Sequence, residues 1–338
     1  MRTGIFGASG YAGAELLRLA AGHANLDVVL ATADSQAGTS VADLYPSLAG
    51  AYPYLVFGEA DPATADGLDL VLLALPHGTS QQLVPDLRKR VGVVVDLAAD
   101  FRLKDPSAYP IWYGEEHRCP ELLAEAVFGI PELFRPSLTA AWLIAAAGCH
   151  VTAAALVLAP LVRAGVIDPE GVVVDTVTGV SGAGRSLNSV TQFCTVDEDV
   201  TPYGLLTHRH TPEIEQATGT TVIFTPHLAP MNRGMLATCY ARPLAGSADP
   251  RDPLAVLADF YDGEPFVIVD ERPPSTKAAL GANTAHLTAR YDQRTGWVVA
   301  IAALDNLVKG AAGQAIQCAN LALGLPETSG LPVVGVYP

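Results

Sequence analysis

One cysteine of this 338-residue chain lies where a thiol can act as a nucleophile. Cys149 follows Gly148 at the junction between an apolar strand-like run, Ala141 to Ala146, and an apolar helical pattern, Thr152 to Leu161. The N-terminus of a helix lowers the pKa of a thiol and favours the thiolate. The position therefore predicts a nucleophile. Most cysteines in apolar surroundings are simply small buried residues, and we interpret four in that way: Cys119, Cys194, Cys239 and Cys318.

A catalytic thiolate needs a nearby base, and one short segment supplies two imidazoles. His208 and His210 are two residues apart, so in an extended segment their side chains point to the same side, with Arg209 pointing elsewhere. Such a pair predicts acid–base chemistry next to a nucleophile. An isolated histidine is more often a surface or core residue, so the cluster alone leaves both interpretations open.

Two further segments have the composition of anion-binding loops. Ser181-Gly182-Ala183-Gly184-Arg185 follows a strand-like run and combines backbone N–H groups with a guanidinium. Arg102, in Asp100-Phe101-Arg102-Leu103, comes just after another strand, at the edge where open α/β sheets bind ligands. Either segment also fits a turn closed by a surface salt bridge, which is the commoner case for Arg102 taken alone.

A glycine-rich loop follows the first strand and precedes a helical pattern. It reads Gly7-Ala8-Ser9-Gly10-Tyr11-Ala12-Gly13. Glycines let the backbone approach a pyrophosphate, and the helix N-terminus offers free N–H groups, so the loop predicts dinucleotide binding. The end of the second strand leaves NAD and NADP open, because Thr32 and Ser35 suit a 2′-phosphate whereas Asp34 suits a free ribose hydroxyl.

The elements that position these residues fall into two groups. In the first third of the chain, apolar runs alternate with helical patterns, which is typical of βαβ units and a parallel sheet. After Cys149, longer β-rich stretches predict a mixed sheet. We therefore expect an α/β protein with a Rossmann-type parallel-sheet domain, residues 1–148 with 307–338, and an α+β catalytic domain with a mixed sheet, residues 149–306. The predicted strands are Thr3 to Phe6, Val28 to Thr32, Leu70 to Leu75, Val93 to Leu97, Ala141 to Ala146, Val172 to Thr178, Thr221 to Thr225, Met235 to Ala241, Phe266 to Val269 and Trp297 to Ala302, with a last helix over Asn306 to Leu323.

Composition and charge exclude several classes of protein. Hydrophobic residues make up 50% and charged residues 16% of the chain, which is typical of a globular protein rather than a disordered one. The formal net charge of −15 repels phosphate backbones and anionic lipid, so we expect neither nucleic acid nor membrane as a partner. Five scattered cysteines without a C-x-x-C pair predict reduced thiols in a cytoplasm and no metal site.

One uncharged stretch, between Arg135 and Arg163, is long enough to span a bilayer. Gly148-Cys149-His150 interrupts it at the centre and Pro160 near its end. The stretch therefore predicts a buried strand followed by a helix rather than a transmembrane span. The N-terminus also lacks the features of a signal peptide.

Together these motifs resemble the N-acetyl-γ-glutamyl-phosphate reductase family of the semialdehyde-dehydrogenase superfamily, over essentially the whole chain. The matching segments are Gly7-Ala8-Ser9-Gly10-Tyr11-Ala12-Gly13, Leu73-Ala74-Leu75-Pro76-His77-Gly78, Asp100-Phe101-Arg102-Leu103, Ser181-Gly182-Ala183-Gly184-Arg185, His208-Arg209-His210-Thr211-Pro212-Glu213-Ile214, Phe224-Thr225-Pro226-His227 with Arg233-Gly234, and Asp305-Asn306-Leu307-Val308-Lys309-Gly310.

The resemblance implies NADPH-dependent reduction of a small-molecule acyl phosphate, N-acetyl-γ-glutamyl phosphate, to a semialdehyde in arginine biosynthesis. It implies a thioester on Cys149, an acid–base role for His210, dimerisation through residues 149–306, and a homodimer or homotetramer. It also favours NADP over NAD. The implied cofactor-binding residues are Gly7, Ser9, Gly10, Tyr11, Ala12, Gly13, Thr32, Ser35, Pro76, His77, Gly182 and Asn306, and the implied substrate-binding residues are Arg102, Ser181, Arg185 and His208.

Three departures from the family pattern leave the acyl group open. The segment around the nucleophile reads Ala147-Gly148-Cys149-His150, where the family usually has Pro-Gly-Cys-Tyr. The stretch Val196-Asp197-Glu198-Asp199-Val200-Thr201-Pro202-Tyr203 is acidic where the family commonly carries asparagines and a basic residue. Thr207 stands where a basic residue is frequent. The last two changes make the expected substrate surroundings more acidic.

Two alternatives to this function stay open. One is the same chemistry on a carrier-linked aminoadipyl or glutamyl phosphate, although a chain with a charge of −15 tends to repel an acidic carrier. The other is a non-catalytic dinucleotide-binding module, against which the presence of Cys149 and His210 argues. Aspartate-semialdehyde dehydrogenase shares the superfamily, but the segment from His208 to Ile214 fits the glutamyl branch better.

Overall fold

The computed structural model describes residues 1–245 and 252–337, which form two compact units. The first unit comprises Met1–Ala147 and Ala311–Leu331, and the second comprises the described residues of Gly148–Gly310 and Pro332–Pro338. The units reflect where internal contacts are dense. The division into functional domains at residues 148 and 307 stays a prediction.

The first unit is built on a six-stranded sheet in which all paired strands are parallel. Its strands are β1 Arg2–Phe6, β2 Asp27–Ala31, β3 Leu70–Leu73, β4 Val93–Asp96, β5 Val127–Gly129 and β6 Leu143–Ala146. The strand order is β2-β1-β3-β4-β6-β5, so the direction of winding reverses between β1 and β3. Open α/β sheets bind ligands outside the carboxyl ends of the strands at such a reversal.

Helices cover this sheet, which is why β3, β4 and β6 consist of buried residues throughout. The last helix, Gly313–Ala322, packs against β4, β6 and the helix Pro131–Leu138. The helices of this unit are α1 Tyr11–Ala21, α2 Val41–Leu44, α3 Ser80–Leu87, α4 Ala108–Tyr113, α5 Pro131–Leu138 and the Gly313–Ala322 helix, with 3₁₀ turns at Pro46–Leu48, Pro62–Ala65 and Pro120–Leu123.

The second unit is built on a mixed seven-stranded sheet. Its strands are β7 Val172–Gly179, β8 Thr201–Pro202, β9 Val222–Ala229, β10 Met235–Ala241, β11 Val267–Val269, β12 Ala285–Asp292 and β13 Trp297–Leu304. The order is β11-β12-β13-β10-β7-β9-β8, with β7/β9 and β11/β12 parallel and the other pairs antiparallel.

One face of this mixed sheet packs on helices, since alternate residues of β7 and β10 are buried. The helices are α6 Cys149–Arg163, α7 Phe193–Val196, α8 His210–Thr218 and α9 Pro253–Phe260, with a 3₁₀ turn at Val180–Ala183. A π-helical segment, Val308–Ala312, begins in this unit and continues into the first.

The predicted fold class is confirmed: a parallel Rossmann-like sheet and a mixed sheet are both present. The helix after Cys149 begins at that residue rather than at Thr152 as predicted. Three strands were not predicted, namely β5, β8 and β12; the first two have three and two residues, and β12 lacks a β-branched run. Within the described residues, no helix is long and apolar enough to cross a bilayer.

Candidate active site

The candidate nucleophile begins a helix. Cys149 is the first residue of α6, and the preceding Gly148 is extended, with φ −71° and ψ 156°. The first turn of α6 carries no acidic residue, so no carboxylate there opposes a thiolate. Cys149 is half-buried, and none of the five cysteines forms a disulfide in the described part of the chain. The partial positive charge of the helix N-terminus stabilises the thiolate of a residue in this position.

Gly310 packs directly against this nucleophile. A Cβ atom on Gly310 would lie 2.6 Å from Cys149 Cβ and 3.2 Å from Cys149 Cα, so only glycine fits without a shift. The Gly310 amide donates a hydrogen bond to the carbonyl of Asp305 at 2.9 Å, which fixes the backbone there. In the sequence, Gly310 stands out only as the last residue of the segment Asp305-Asn306-Leu307-Val308-Lys309-Gly310. No local signal could have assigned it, because the two residues are far apart in the chain.

Three histidines come together in the second unit. His150 lies on α6, and His208 and His210 lie just before and at the start of α8. The ring centroids are 5.5 Å apart for His150 and His208, 5.3 Å for His150 and His210, and 4.7 Å for His208 and His210. His208 Nδ1 accepts a hydrogen bond from the His210 amide at 3.1 Å. The structure thus brings the two predicted histidines together and adds a third.

His150 is held at both ring nitrogens. Its Nδ1 lies 2.7 Å from Thr176 Oγ1 on β7, and its Nε2 lies 2.9 Å from Tyr203 Oη. Burial, and after it the neighbouring His208, lowers the pKa of His150 to about 3. Burial, and after it the charge of Arg209, lowers the pKa of His208 to about 4. The imidazoles of His150 and His208 are therefore both neutral at neutral pH. Thr176 and Tyr203 were not predicted from the sequence, because they lie 26 and 53 residues from His150.

Tyr203 connects this cluster to the nucleophile electrostatically. Burial, and after it the charge of the Cys149 thiolate, raises the pKa of Tyr203, so the phenol keeps its proton. The ring of Tyr203 also lies against His208, with centroids 5.4 Å apart. Cys149, three imidazoles and one phenol therefore share one small region. This arrangement can activate a thiol, stabilise an oxyanion and transfer protons.

The predicted anion loop follows β7. Ser181 and Gly182 lie in the 3₁₀ turn after that strand, and a Cβ on Gly182 would lie 3.1 Å from Thr178 Oγ1. Arg185 is half-buried and has neither a hydrogen bond nor an ion pair to any described residue. A guanidinium without a protein partner is available to a carboxylate or phosphate.

Asn306, in the second unit, stabilises this loop through side-chain hydrogen bonds. The buried Asn306 Nδ2 donates to Ser181 Oγ at 3.0 Å, and its Oδ1 accepts from the Gly234 amide at 2.7 Å. The adjacent Asp305 is also buried and accepts hydrogen bonds from Arg233 Nη2 at 3.0 Å. The implied cofactor contact of Asn306 stays a prediction, since the structure shows it as a support for Ser181.

The glycine-rich loop of the first unit has the geometry of a phosphate cradle. Gly7 has φ +78°, and a Cβ there would lie 2.3 Å from the carbonyl oxygen of Ala74. A Cβ on Gly13 would lie 2.5 Å from Ala8 Cα. Gly10 is the N-cap of α1 and no side chain caps that helix, so the first N–H groups of the helix remain for a ligand. These residues fit a dinucleotide pyrophosphate.

The remaining predicted cofactor residues differ in exposure. Thr32 is buried, and its Oγ1 has no hydrogen-bond partner among the described residues, whereas Asp34 and Ser35 are exposed. Of the two side chains proposed to hold a 2′-phosphate, only that of Ser35 is therefore accessible. Pro76 is also exposed, and Tyr11 is exposed at the start of α1.

His77 lies in the first unit and faces carboxylates. Its Nδ1 is 2.6 Å from Asp100 Oδ1, and its ring lies against that of Tyr113, with centroids 4.4 Å apart and the planes tilted by 35°. Burial raises the pKa of Asp100, but the contacts from His77 and from the Gly78 amide outweigh it and leave the pKa below its ordinary value. Both carboxylate oxygens of Asp100 therefore already have partners within the protein.

Arg102 is buried in the first unit and donates to backbone carbonyls. Its Nε bonds to the carbonyl of Ala146 at 2.8 Å, and its Nη2 bonds to that of Leu97 at 2.6 Å. The guanidinium thereby ties the carboxyl ends of β4 and β6 together. This structural use is the simpler explanation of Arg102, and its contact with substrate stays a prediction.

Comparisons with known proteins agree on one family. A semialdehyde dehydrogenase NAD binding domain matches residues 2–141, and a semialdehyde dehydrogenase dimerisation domain matches residues 149–306. The chain is 46% identical to the N-acetyl-γ-glutamyl-phosphate reductase of Symbiobacterium thermophilum, over 100% of this chain and 99% of that protein. It is 48% identical to the protein of the same name from Salinispora tropica, again over 100% and 99%.

Solved structures share the fold. Aspartate semialdehyde dehydrogenase II of Vibrio cholerae, complexed with ASA, matches with a TM-score of 0.72 and 16% identity, over 96% of this chain and 98% of that one. Aspartate semialdehyde dehydrogenase with NADP from Candida albicans matches with a TM-score of 0.67 and 14% identity, over 95% and 97%. At these identities the likeness establishes the fold alone.

Proposed function

This chain belongs to the N-acetyl-γ-glutamyl-phosphate reductase family of the semialdehyde dehydrogenases, and we propose that it reduces N-acetyl-γ-glutamyl phosphate to N-acetylglutamate 5-semialdehyde with NADPH, releasing inorganic phosphate in arginine biosynthesis. The observation that carries this proposal is Cys149 at the first position of α6, in one region with His208 and His210. A thiolate nucleophile beside imidazoles is what acyl transfer requires.

Cys149 performs the first step. Its thiolate attacks the acyl carbon, a bond forms between sulfur and carbon, and the bond from that carbon to the phosphate oxygen breaks, so inorganic phosphate leaves. A thioester on Cys149 remains. The N-terminus of α6 stabilises the thiolate before attack, and its partial positive charge can also stabilise the oxyanion that forms.

His210 acts as the general acid and then the general base in the second step. Bound NADPH supplies the hydride that brings the thioester carbon to the aldehyde oxidation level. His210 donates a proton to the oxygen of the resulting thiohemiacetal and takes it back as the carbon–sulfur bond breaks, which releases the aldehyde and restores the thiolate. The amide of His210 bonds to His208 Nδ1, so His208 keeps this segment in place.

The cofactor is proposed to bind the glycine-rich loop of the first unit. Residues Gly7 to Gly13 offer close backbone approach and free helix N–H groups to the pyrophosphate, and the exposed Ser35 is the accessible side chain for a 2′-phosphate. We keep the remaining cofactor contacts as part of the proposal: Thr32, Pro76, His77, Gly182 and Asn306.

The substrate is proposed to be bound through its anionic groups. Arg185 has no protein partner among the described residues and sits next to the backbone of the Ser181 turn, so it is the best-supported ligand for a phosphate or carboxylate. His208 lies in the nucleophile's surroundings. Arg102 is retained with less support, because its guanidinium already bonds to two backbone carbonyls.

The same family suggests a homo-oligomer, and we propose a homodimer formed through the mixed sheet. The face of the sheet away from α6 presents half-buried apolar side chains of Val173, Tyr240, Trp297 and Val299. A second copy covering this face would remove apolar area from water. Five cysteines outside disulfides fit the reducing cytoplasm in which we propose that the enzyme works. Sedimentation at several protein concentrations tests the assembly.

The direct test of function is the reverse reaction. Purified protein is given N-acetylglutamate semialdehyde, inorganic phosphate and NADP, with NAD in a parallel series, and the absorbance of reduced nicotinamide is followed. Phosphate-dependent reduction of NADP is expected. Cys149→Ser should abolish it and leave NADPH binding unchanged, whereas Cys194→Ser, which alters an exposed cysteine, should leave turnover intact.

Two results would contradict the proposal. Turnover that survives in Cys149→Ser would exclude the thioester mechanism. A folded protein that binds NADPH but gives no signal with this semialdehyde would favour a carrier-linked acyl phosphate, and the exposed acidic residues Asp197 to Asp199 are then the first to neutralise.

A further inference from the structure

We infer that His150, His208 and His210 form a binding site for one divalent transition-metal cation of the Zn²⁺ type, and that an ion bound there stops turnover. The juxtaposition of three imidazoles carries the binding part of the inference. The loss of turnover rests on the proposed function, because it requires His210 to act as the acid–base residue.

The distances suit a small cation. One ring nitrogen from each histidine lies within 4.8 Å of the other two. Zinc binds imidazole nitrogen at about 2.0–2.1 Å, so three nitrogens around a tetrahedral ion are separated by roughly 3.3 Å. The nitrogens therefore need to approach one another by up to about 1.5 Å for all three to bind one ion.

Two of the three rings are already oriented by their Nδ1 atoms. His150 Nδ1 is bonded to Thr176 Oγ1, and His208 Nδ1 accepts from the His210 amide. Histidines that bind metals usually donate the N–H of the second ring nitrogen to a neighbouring acceptor. His150 Nδ1 can donate to Thr176 Oγ1 in this way, whereas His208 Nδ1 accepts, so the ring proton of His208 lies on Nε2. That proton must move to Nδ1, with loss of the amide hydrogen bond, before His208 Nε2 can bind the ion. His208 Nε2 has no hydrogen bond to any described residue, and His150 Nε2 has only the Tyr203 hydroxyl to give up.

The donor set selects the class of ion. Three imidazoles without a carboxylate suit Zn²⁺, Co²⁺, Ni²⁺ and Cu²⁺ and disfavour Mg²⁺ and Ca²⁺, which prefer oxygen ligands. Three protein ligands also leave a fourth position for water or an anion. The positive charge of the adjacent Arg209 opposes a cation, so we expect reversible binding rather than a resident metal.

An ion bound at this site occupies a nitrogen lone pair of His210 and so prevents that residue from acting as an acid or base. A nitrogen of His210 that is bound to Zn²⁺ cannot exchange a proton with the thiohemiacetal oxygen. The ion is also bound to His150, which directly follows the nucleophile Cys149 in the chain. Zn²⁺ therefore competes with protons for the ring nitrogen of His210, and we expect it to inhibit turnover without unfolding the protein.

Binding is measured without turnover. The full-length protein, freed of metal with a chelator, is titrated with Zn²⁺ against a chromophoric zinc chelator, and separately with Co²⁺ while its visible absorption is recorded. One Zn²⁺ per chain and the intense bands of four-coordinate Co²⁺ are expected. His150→Gln removes one ligand and should weaken Zn²⁺ binding at least about 100-fold.

Matched variants make the result decisive. His286→Gln makes the same change at a half-buried histidine of the second unit outside the cluster and should leave Zn²⁺ binding unchanged. Cys149→Ser should retain most of the affinity, because the three imidazoles hold the ion. Circular dichroism and thermal unfolding establish that each variant is folded, and His208→Gln replaces His150→Gln if the latter is not.

Three results would overturn the inference: no Zn²⁺ binding by the wild-type chain, equal binding by His150→Gln, or loss of binding in Cys149→Ser with retention in His150→Gln. The last would identify the thiolate as the principal ligand. If Zn²⁺ binds as expected and the protein has no reductase activity, the site stands and the proposed function fails, so the two can be told apart.

Discussion

Replacing Gly310 by alanine tests whether the position of the nucleophile depends on a glycine far along the chain. The new Cβ would lie 2.6 Å from Cys149 Cβ and 3.2 Å from Leu304 Cδ1. The leucine methyl belongs to a side chain that can rotate. Cys149 Cβ is bonded directly to the backbone at the start of α6, so the conflict there is relieved only by moving the nucleophile or the Gly310 backbone.

The size of the effect follows from that distance. Ordinary van der Waals contact begins near 3.4 Å, so 2.6 Å leaves about 0.8 Å to be relieved. A misplacement of about 1 Å can cost roughly 100-fold in rate, which corresponds to about 2.7 kcal/mol of activation free energy. Overpacking of this kind also lowers the free energy of unfolding by about 1–3 kcal/mol, which a well-folded chain tolerates.

The assay compares kcat, NADPH affinity and the rate of Cys149 alkylation by iodoacetamide in the wild type and in Gly310→Ala. We expect kcat to fall about 100-fold with NADPH affinity unchanged. Gly50→Ala is the control, because a Cβ at Gly50 meets no atom within 4 Å and the residue has no positive φ. A Gly310→Ala protein with wild-type kcat would refute the reasoning, whatever its stability.

Three further predictions concern the supports of the two units. Gly7→Ala places a Cβ 2.3 Å from the Ala74 carbonyl at φ +78°, so NADPH affinity measured by fluorescence should fall at least about tenfold, with Gly50→Ala unchanged. Burial, and after it the charge of Asp100, raises the pKa of Asp96 from 3.8 to about 7. Because the folded state binds this proton more tightly than the unfolded state, the free energy of unfolding should fall as pH rises from about 4 to 7, by up to about 4 kcal/mol. Asp96→Asn should remove that slope in urea unfolding at several pH values, and an unchanged slope would contradict the assignment. Asp305→Asn leaves the Arg233 guanidinium without its buried carboxylate, so the free energy of unfolding should fall by about 3 kcal/mol, and a loss below 1 kcal/mol would show that the pair contributes little.

The sequence by itself determined the fold class and most strands. Alternation of apolar runs and helical patterns indicates a parallel sheet wherever it occurs, because both faces of such a sheet are buried. The glycine-rich loop was identified in the same way, since a strand, close-spaced glycines and a helix are adjacent in the chain. Cys149 could be singled out because a helix N-terminus is also a local feature.

Only the tertiary structure decided what surrounds the nucleophile. Thr176 and Tyr203 are 26 and 53 residues from His150, and the approach of Gly310 to Cys149 spans almost half the chain. These contacts depend on how β7 pairs with β9 and how α6 packs on the mixed sheet. Neither is written in a local pattern. The same holds for Arg102, whose residue type suggested an anion ligand and whose buried environment directs its donors to backbone carbonyls.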